Sequence, residues 1–271
     1  MMISVWLRRI NYERSEVDMK IGLCTGLENL ELTRRLGFDY IECTVSAIAS
    51  LSDEEYEKTL SAVKAGPIPV ERMNVLFPGT IKLIGPEKDQ KITDEYLEKA
   101  FTRASALGAK TIVFGSGKAR AIPGTIPFGQ GYRELVAVTK QIGAMAGKHG
   151  ITIAIEPLNR EETNSINSVL EGAMLEADAD SPHVGLLADL FHMLKENESL
   201  ENILAVKQLK HTHIALLEGR GFPVKATKEV EAFFGVLKKI NYTGTMSIEG
   251  KTENLEKDAA LGLEVLRALD R

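Results

Sequence analysis

Short apolar runs recur along the chain, and each is followed by a polar segment with helical periodicity. Several runs are apolar at successive positions, which is typical of parallel strands that are covered on both faces. The runs predict eight strands, at residues 20–26, 40–45, 70–77, 111–117, 152–158, 184–191, 209–216 and 244–250. This strand–helix alternation predicts an α/β fold with a parallel sheet.

The segments between the strands carry helix signals. Ser52 and Glu55 have the spacing of a capping box at the start of one helix. In a later helix Leu97 and Phe101 share one face, and Gly108 marks the end. Eight strand–helix units in a chain of this length predict a (β/α)8 TIM barrel that forms a single domain. A doubly wound open sheet is disfavoured because no Gly-rich phosphate loop follows the first strand.

The N-terminal residues differ from the rest of the chain. Residues 1–18 are polar and mixed, and the first clean strand pattern begins after Met19. We therefore expect the barrel to span residues 19–271. Residues 1–18 are interpreted as an N-terminal extension, either a poorly ordered arm or an additional helix.

Composition narrows the class of protein. The formal net charge is -5 and there is no block of Lys and Arg, which argues against a nucleic-acid partner. The apolar runs are too short to span a bilayer, and the N-terminus lacks the apolar core of a signal peptide. With only two cysteines the chain is not a disulfide scaffold. A cytoplasmic protein without a membrane partner is the expectation.

Polar side chains stand at the ends of the last four predicted strands. They are Glu156 on strand five, Asp189 and the following His192 on strand six, His211 and His213 on strand seven, and Glu249 on strand eight. A TIM barrel builds its active site from the carboxyl ends of its strands. Because these four strands are neighbours around the barrel, we expect their polar ends to converge.

Three carboxylates in one pocket would repel one another, and burying an unpaired carboxylate is costly. A divalent cation removes both problems. Oxygen ligands with one nitrogen suit Mn²⁺, Mg²⁺ or Co²⁺, whereas Zn²⁺ more often takes additional His or Cys. The sequence therefore predicts one divalent metal ion, with Mn²⁺ first and Mg²⁺, Co²⁺ or Zn²⁺ as alternatives.

Four segments, IEPLNREE, LLADLFHM, KHTHIALLEGRG and GTMSIEG, resemble the sugar phosphate isomerase/epimerase family. That family has a xylose isomerase-like TIM barrel and includes the ketohexose 3-epimerases. The resemblance extends from about Met19 to the end and is densest after residue 150. It implies a small-molecule sugar or sugar phosphate as the substrate. Barrels of this family often pair, which makes a homo-oligomer compatible with the resemblance.

The resemblance also implies roles for individual residues. Glu156 and Glu249 match glutamates that bind the metal and act as acid and base, and Asp189 matches the metal-binding aspartate. The second histidine of the family's H-x-H usually binds the metal, which selects His213 over His211. His211 then either points outward or holds the site together, since residues i and i+2 share one face of a strand.

Further residues match substrate contacts. The resemblance implies that His192, Arg220 and Glu162 face the substrate. From the residues themselves, Asn74 near the end of strand three is a candidate for the pocket lining. Lys118 and Arg120, in the segment GSGKAR after strand four, are candidates to meet a phosphate or a sugar hydroxyl, although this segment equally fits a plain Gly-rich loop.

The predicted activity is isomerisation or epimerisation of a small keto-sugar through an enediolate. Two bases on opposite faces would epimerise, and one base that moves the proton to the adjacent carbon would isomerise. An inosose dehydratase or isomerase would use the same ligand set. A nuclease of the endonuclease IV type needs more histidines than the five present. A non-catalytic sugar-binding barrel is the remaining alternative.

Overall fold

The computed structural model describes residues 18–271, so the predicted extension over residues 1–18 lies outside the described residues except for Asp18. Eight parallel strands close into one barrel, and they follow chain order around it. The strands are β1 (Lys20–Cys24), β2 (Tyr40–Thr44), β3 (Arg72–Asn74), β4 (Thr111–Phe114), β5 (Thr152–Ile155), β6 (Val184–Asp189), β7 (Leu209–Ile214) and β8 (Thr245–Ile248). The predicted TIM barrel is confirmed.

Helices surround the barrel. They are α1 (Leu30–Leu36), α2 (Val45–Ser50), α3 (Asp53–Ala65), α4 (Gln90–Leu107), α5 (Gly117–Arg120), α6 (Phe128–Lys148), α7 (Val169–Ala179), α8 (Leu190–Lys195), α9 (Lys228–Lys239) and α10 (Leu255–Asp270). The predicted capping box is present, since Ser52 and Glu55 bond reciprocally at the start of α3. Gly108 ends α4 with a left-handed φ of 104°. In the part of the chain that is described, no helix is long and apolar enough to cross a membrane.

The strands are shorter than the apolar runs that predicted them. The run at residues 70–77 contains only the three paired residues Arg72–Asn74. Val75 follows with a φ of 49°, a left-handed conformation that takes the chain out of the sheet. Leu76 and Phe77 are buried in the loop that leaves the barrel mouth, which is why they are apolar without being part of a strand.

The barrel interior is divided between apolar and polar side chains. Val113, Ala154 and Leu187 form a small buried cluster of their own, whereas their chain neighbours belong to the large core under the helices. Since successive strand residues point to opposite faces, this small cluster fills the inside of β4, β5 and β6. On the opposite side of the interior, Glu42 and His211 are fully buried. Glu42 and His211 form the polar part of the interior, and Glu42 contacts His213, a residue of the candidate site.

Candidate active site

Four potential metal ligands converge at the carboxyl end of the barrel. Glu156 follows β5, Asp189 ends β6, His213 lies in β7 and Glu249 follows β8. One ligand atom from each residue lies within 4.8 Å of the others. The structure therefore brings together the four residues that the sequence proposed as metal ligands.

The two carboxylate oxygens of Asp189 have different surroundings. Its Oδ1 accepts a hydrogen bond from Phe191 N at 2.8 Å and so caps the N-terminus of α8. Its Oδ2 is buried and has no hydrogen-bond partner among residues 18–271. Buried polar atoms are rarely left unpaired, and this oxygen is free to bind a cation. The cap and the proposed ligand role are thus compatible, because each uses a different oxygen.

His213 contacts three carboxylates, two through Nδ1 and one through Nε2. Nδ1 lies 3.0 Å from Glu156 Oε1 and 3.5 Å from Glu249 Oε2. Nε2 lies 3.0 Å from Glu42 Oε1, on the side away from the cluster. His211 also points into the barrel, with Nε2 2.9 Å from Glu42 Oε2. Both histidines of the H-x-H segment therefore face inward, and only His213 belongs to the four-ligand cluster.

Glu249 is oriented by residues from β3 and from the loop after β7. Asn74 donates Nδ2–H to Glu249 Oε1 at 2.8 Å, and Thr44 donates to Asn74 Oδ1 at 3.1 Å. Arg220 forms an ion pair with Glu249 Oε2 and lies 3.6 Å from Asp189 Oδ2. Asn74, a candidate from the sequence, thus lies at the edge of the cluster.

His192 points its unpaired nitrogen toward the same pocket. The backbone N–H of Asn159 donates to His192 Nδ1 at 3.1 Å, so a neutral ring carries its proton on Nε2. Burial lowers the pKa of His192, which favours the neutral ring. Nε2 has no hydrogen-bond partner within the described chain and lies 3.6 Å from Asp189 Oδ2.

Glu162, another expected substrate contact, lies in the loop after β5. Asn159 Nδ2 donates to Glu162 Oε1 at 3.0 Å, and Arg220 NH1 lies 3.6 Å from the same oxygen. The Arg220 guanidinium also lies over the ring of Phe191, 4.8 Å from its centroid. Glu162, His192 and Arg220 are therefore gathered around the ligand cluster.

Burial and neighbouring charges separate the pKa values of the carboxyl groups. Burial raises the pKa of Asp189 to about 6 and raises the pKa of Glu156. Burial acts in the same direction on Glu249, but His213 and Arg220 outweigh it and lower the pKa of Glu249 to about 2. Three carboxyl groups around one imidazole are an oxygen-rich donor set, and a divalent cation would relieve their repulsion. Together with an Asp189 Oδ2 that accepts no hydrogen bond from the described residues, this donor set fits a metal ion.

Two candidates from the sequence lie outside the cluster. Lys118 is exposed and its aliphatic chain packs against Gly79. Arg120 is fully buried, and it donates to the carbonyl oxygens of Glu156 and Ser165, each at 2.8 Å. Because the donors of Arg120 are engaged by main-chain oxygens, it supports the loop after β5 from below, and we retain no substrate contact for it.

Glu42 is a residue that the sequence analysis did not single out. It lies in β2, is fully buried and contacts both His211 and His213. The signal was present in the sequence, since YIECTV places a carboxylate inside an apolar strand just as LLADLF does. Burial raises the pKa of Glu42, but the two histidines outweigh it and hold this pKa well below its ordinary value.

Comparison with known proteins gives a family match over most of the chain. A family model described as a xylose isomerase-like TIM barrel matches residues 30–269. An L-ribulose 3-epimerase from Methylomonas sp. (strain DH-1) is 32% identical over 162 residues, which is 58% of this chain and 55% of that protein. The chain thus spans about half the length of this relative.

Other curated relatives are covered more fully. A 3-dehydro-D-guloside 4-epimerase from Escherichia coli (strain K12) is 26% identical over 83% of this chain and 87% of that protein. Among solved structures, a D-psicose 3-epimerase with D-tagatose from Clostridium cellulolyticum H10 superposes with a TM-score of 0.81 at 20% identity, covering 93% of this chain and 100% of that one. At this identity the structural likeness concerns the fold.

Proposed function

The chain belongs to the xylose isomerase-like TIM barrel family, as its motifs predicted, and from this premise we propose that it is a divalent-metal-dependent epimerase of keto-sugars. The curated relatives are sugar epimerases, which supports an enzymatic role of this type. The proposed reaction inverts a carbon that is adjacent to a carbonyl group.

The convergence of four ligand donors from four consecutive strands carries the proposal. Glu156, Asp189, His213 and Glu249 would hold the ion, and one Asp189 oxygen has no hydrogen-bond partner within the described residues. When bound, a divalent ion neutralises this cluster and stabilises the negative charge that develops on a substrate oxygen as a carbon-bound proton leaves.

Glu156 and Glu249 are the proposed acid and base. Glu156 follows β5 and Glu249 follows β8, and His213 lies between them. His213 Nδ1 is 3.0 Å from Glu156 Oε1 and 3.5 Å from Glu249 Oε2. One carboxylate takes the proton from the carbon beside the carbonyl, and the other returns a proton from the opposite face of the enediolate. Two groups in these roles would invert the carbon, and the epimerase names of the curated relatives support this outcome over aldose–ketose isomerisation.

His192, Arg220 and Glu162 are the proposed sugar contacts. His192 offers an Nε2–H donor that is buried and unpaired among residues 18–271. Arg220 adds a cation beside Glu249, and Glu162 adds an acceptor at the mouth with 41% of its side chain exposed. Donors and an acceptor around the ligand cluster suit the hydroxyl groups of a sugar.

Proton exchange with solvent tests this proposal. The metal content of the purified protein would first be measured, and the Mn²⁺- or Co²⁺-loaded protein would then be incubated in D₂O with a panel of ketoses, ketose phosphates and 3-keto-glycosides. We expect about one ion per chain and deuterium at the carbon next to the carbonyl of at least one sugar. Glu156→Gln and Glu249→Gln should each lose exchange, and the ketose phosphates test whether a phosphate is required.

Three results would overturn parts of the proposal. Full turnover by both glutamate variants would remove their acid and base roles. Metal and sugar binding without deuterium exchange would indicate a sugar-binding barrel. Three zinc ions per chain would indicate a nuclease of the endonuclease IV type, although His149 and His183 lie away from the cluster, at Glu98 and Gly147 respectively.

The 3-keto-glycosides belong in the panel because of one comparison. Relatives that match over most of this chain include both substrate classes, since the 3-dehydro-D-guloside 4-epimerase matches over 233 residues and a D-psicose 3-epimerase over 234. Both names describe inversion beside a carbonyl group, which is the reaction that we propose for the four-ligand site. Exchange with a keto-glycoside and not with free ketoses would identify keto-glycosides as the substrate class.

A further inference from the structure

Glu42 is a carboxylate in the middle of β2, with no exposed surface. It accepts hydrogen bonds from three side chains, at 2.9 Å from His211 Nε2, 3.0 Å from His213 Nε2 and 2.5 Å from Ser247 Oγ. Within the described residues its ion-pair partners are the two histidines. A buried charge is costly, and an apolar residue in its place is often as stable or more stable. Fold stability alone therefore does not account for Glu42.

The chemistry of a carboxylate determines the tautomer of both histidines. An ionised carboxylate can only accept hydrogen bonds, so the ring nitrogen that faces it must carry the hydrogen. His213 and His211 each face Glu42 through Nε2. Nδ1 of His213 also lies 3.0 Å from Glu156 Oε1, so it carries a hydrogen as well in the metal-free site, and a bound metal ion would replace that hydrogen. The neutral ring that remains keeps its hydrogen on Nε2 and its lone pair on Nδ1, the nitrogen that faces Glu156 and Glu249. This tautomer presents the metal-binding nitrogen to the cluster.

His211 orients the carboxylate that orients His213. It occupies Oε2 of Glu42, which leaves Oε1 for His213. Its other nitrogen, Nδ1, lies 2.7 Å from Thr245 Oγ1 on β8, which fixes the ring from the far side. The two imidazole rings meet edge to face at 4.8 Å. The Glu42 carboxylate is therefore held in one plane by β7 and β8 together.

We infer that Glu42 is a positioning residue for the metal site: it accepts Nε2–H of His213 and thereby turns Nδ1 toward the ion, while His211 holds Glu42 in place. This inference rests on the proposed function, because it requires that the four-ligand cluster binds a metal. Carboxylates behind metal-binding histidines orient the ring and raise its basicity, and their loss typically weakens metal binding by roughly 10- to 100-fold.

Cobalt binding to the wild type and to Glu42→Gln tests the inference without any assay of activity. Glutamine keeps the shape and can still accept from His213, and His211 can turn its own proton toward Thr245 O, 2.9 Å from Nδ1. The variant thus loses the negative charge with few unpaired groups. We expect its Co²⁺ dissociation constant to rise about 10- to 100-fold and its visible absorption spectrum to change.

Tyr40→Phe is the matched control. It removes a buried hydroxyl from the same network, since Tyr40 OH lies 2.8 Å from Ser247 Oγ, and it keeps the ring that packs against His211 at 6.4 Å between centroids. We expect cobalt binding close to that of the wild type. Equal binding by the wild type and Glu42→Gln, with the same spectrum, would overturn the inference and leave the metal site standing. No binding by the wild type would refute the proposed function instead.

Nitrogen NMR of the zinc-loaded wild type gives a second test that needs no variant, in case Glu42→Gln does not fold. We expect His213 to carry its proton on Nε2, with that proton shielded from exchange, and zinc to shift Nδ1. A proton on Nδ1, or zinc bound through Nε2, would overturn the inference directly.

Discussion

Asp189 Oδ2 and His192 Nε2 face each other across 3.6 Å at the carboxyl end of β6. Neither atom has a hydrogen-bond partner in the described part of the chain, although both side chains are almost fully buried. Buried polar atoms are normally paired, and two unpaired atoms at one place indicate where a ligand binds. Asp189 faces the proposed ion, and His192 faces the proposed sugar.

Asp189→Asn should separate the helix cap from metal binding. Asn is as good an N-cap as Asp, so α8 should be retained, whereas loss of the charged oxygen should weaken Co²⁺ binding by more than about 100-fold. Asp189→Ala removes the cap as well and should cost about 1 kcal/mol more in the free energy of unfolding of the metal-free protein. Urea unfolding and cobalt titration measure the two effects. Wild-type cobalt affinity in Asp189→Asn would exclude Asp189 as a ligand.

The stability of the metal-free protein should depend on pH through Asp189. Its pKa is raised to about 6 from the ordinary value of 3.8, mainly by burial. The folded protein then binds a proton more tightly than the unfolded chain, so the free energy of unfolding should fall as pH rises from about 4 to about 6. The loss from this group is at most about 3 kcal/mol. Asp189→Asn should lack this part of the pH dependence, which unfolding curves of both proteins between pH 4 and 7 would reveal.

His192→Phe should lower kcat/KM without changing the affinity for the metal ion. The change keeps an aromatic ring but removes the Nε2–H donor, and the loss of one hydrogen bond to the substrate corresponds to about tenfold in kcat/KM. Cobalt affinity should stay at the wild-type value. His192→Gln restores a donor and should recover part of the activity. Equal kcat/KM for the wild type and His192→Phe would argue against a sugar contact.

Gly115→Ala should disable Glu156 while keeping the fold. A Cβ at Gly115 would lie 2.3 Å from Glu156 Oε2, and the carboxylate is the end of a side chain that can swing away. We expect a folded protein with weakened cobalt binding and little deuterium exchange. Gly124→Ala is the control, because its added Cβ would meet nothing within 4 Å. Unchanged exchange in Gly115→Ala would show that the Glu156 carboxylate tolerates displacement.

The candidate site was partly predictable because, in a TIM barrel, the place of a residue along its strand determines whether it lies at the active-site end. Residues at the carboxyl ends of neighbouring strands must meet, so Glu156, Asp189 and Glu249 could be grouped from a linear pattern. Their roles as ligands, acid and base stay predictions, as do the substrate contacts of His192 and Arg220. The metal was predicted from charge alone, since three carboxylates in one pocket require a cation.

The direction of the Arg120 side chain could not be predicted in this way. GSGKAR follows β4 at the active-site end, so a basic residue in it looked like a candidate for a phosphate or a hydroxyl. Whether a long side chain turns into the pocket or under the loop depends on the carbonyl oxygens available to it. Those oxygens belong to Glu156 and Ser165, which lie 36 and 45 residues further along the chain.

The sequence by itself determined the barrel, the order of its strands and the residues at the barrel mouth, because hydrophobic periodicity and chain order suffice for these. Only the tertiary structure decided which nitrogen of His213 faces the cluster and what lies behind it. Glu42 contacts His211 and His213 from 169 and 171 residues away. A buried hydrogen bond depends on the distance and direction between two atoms, and strand pairing sets these only when the barrel closes.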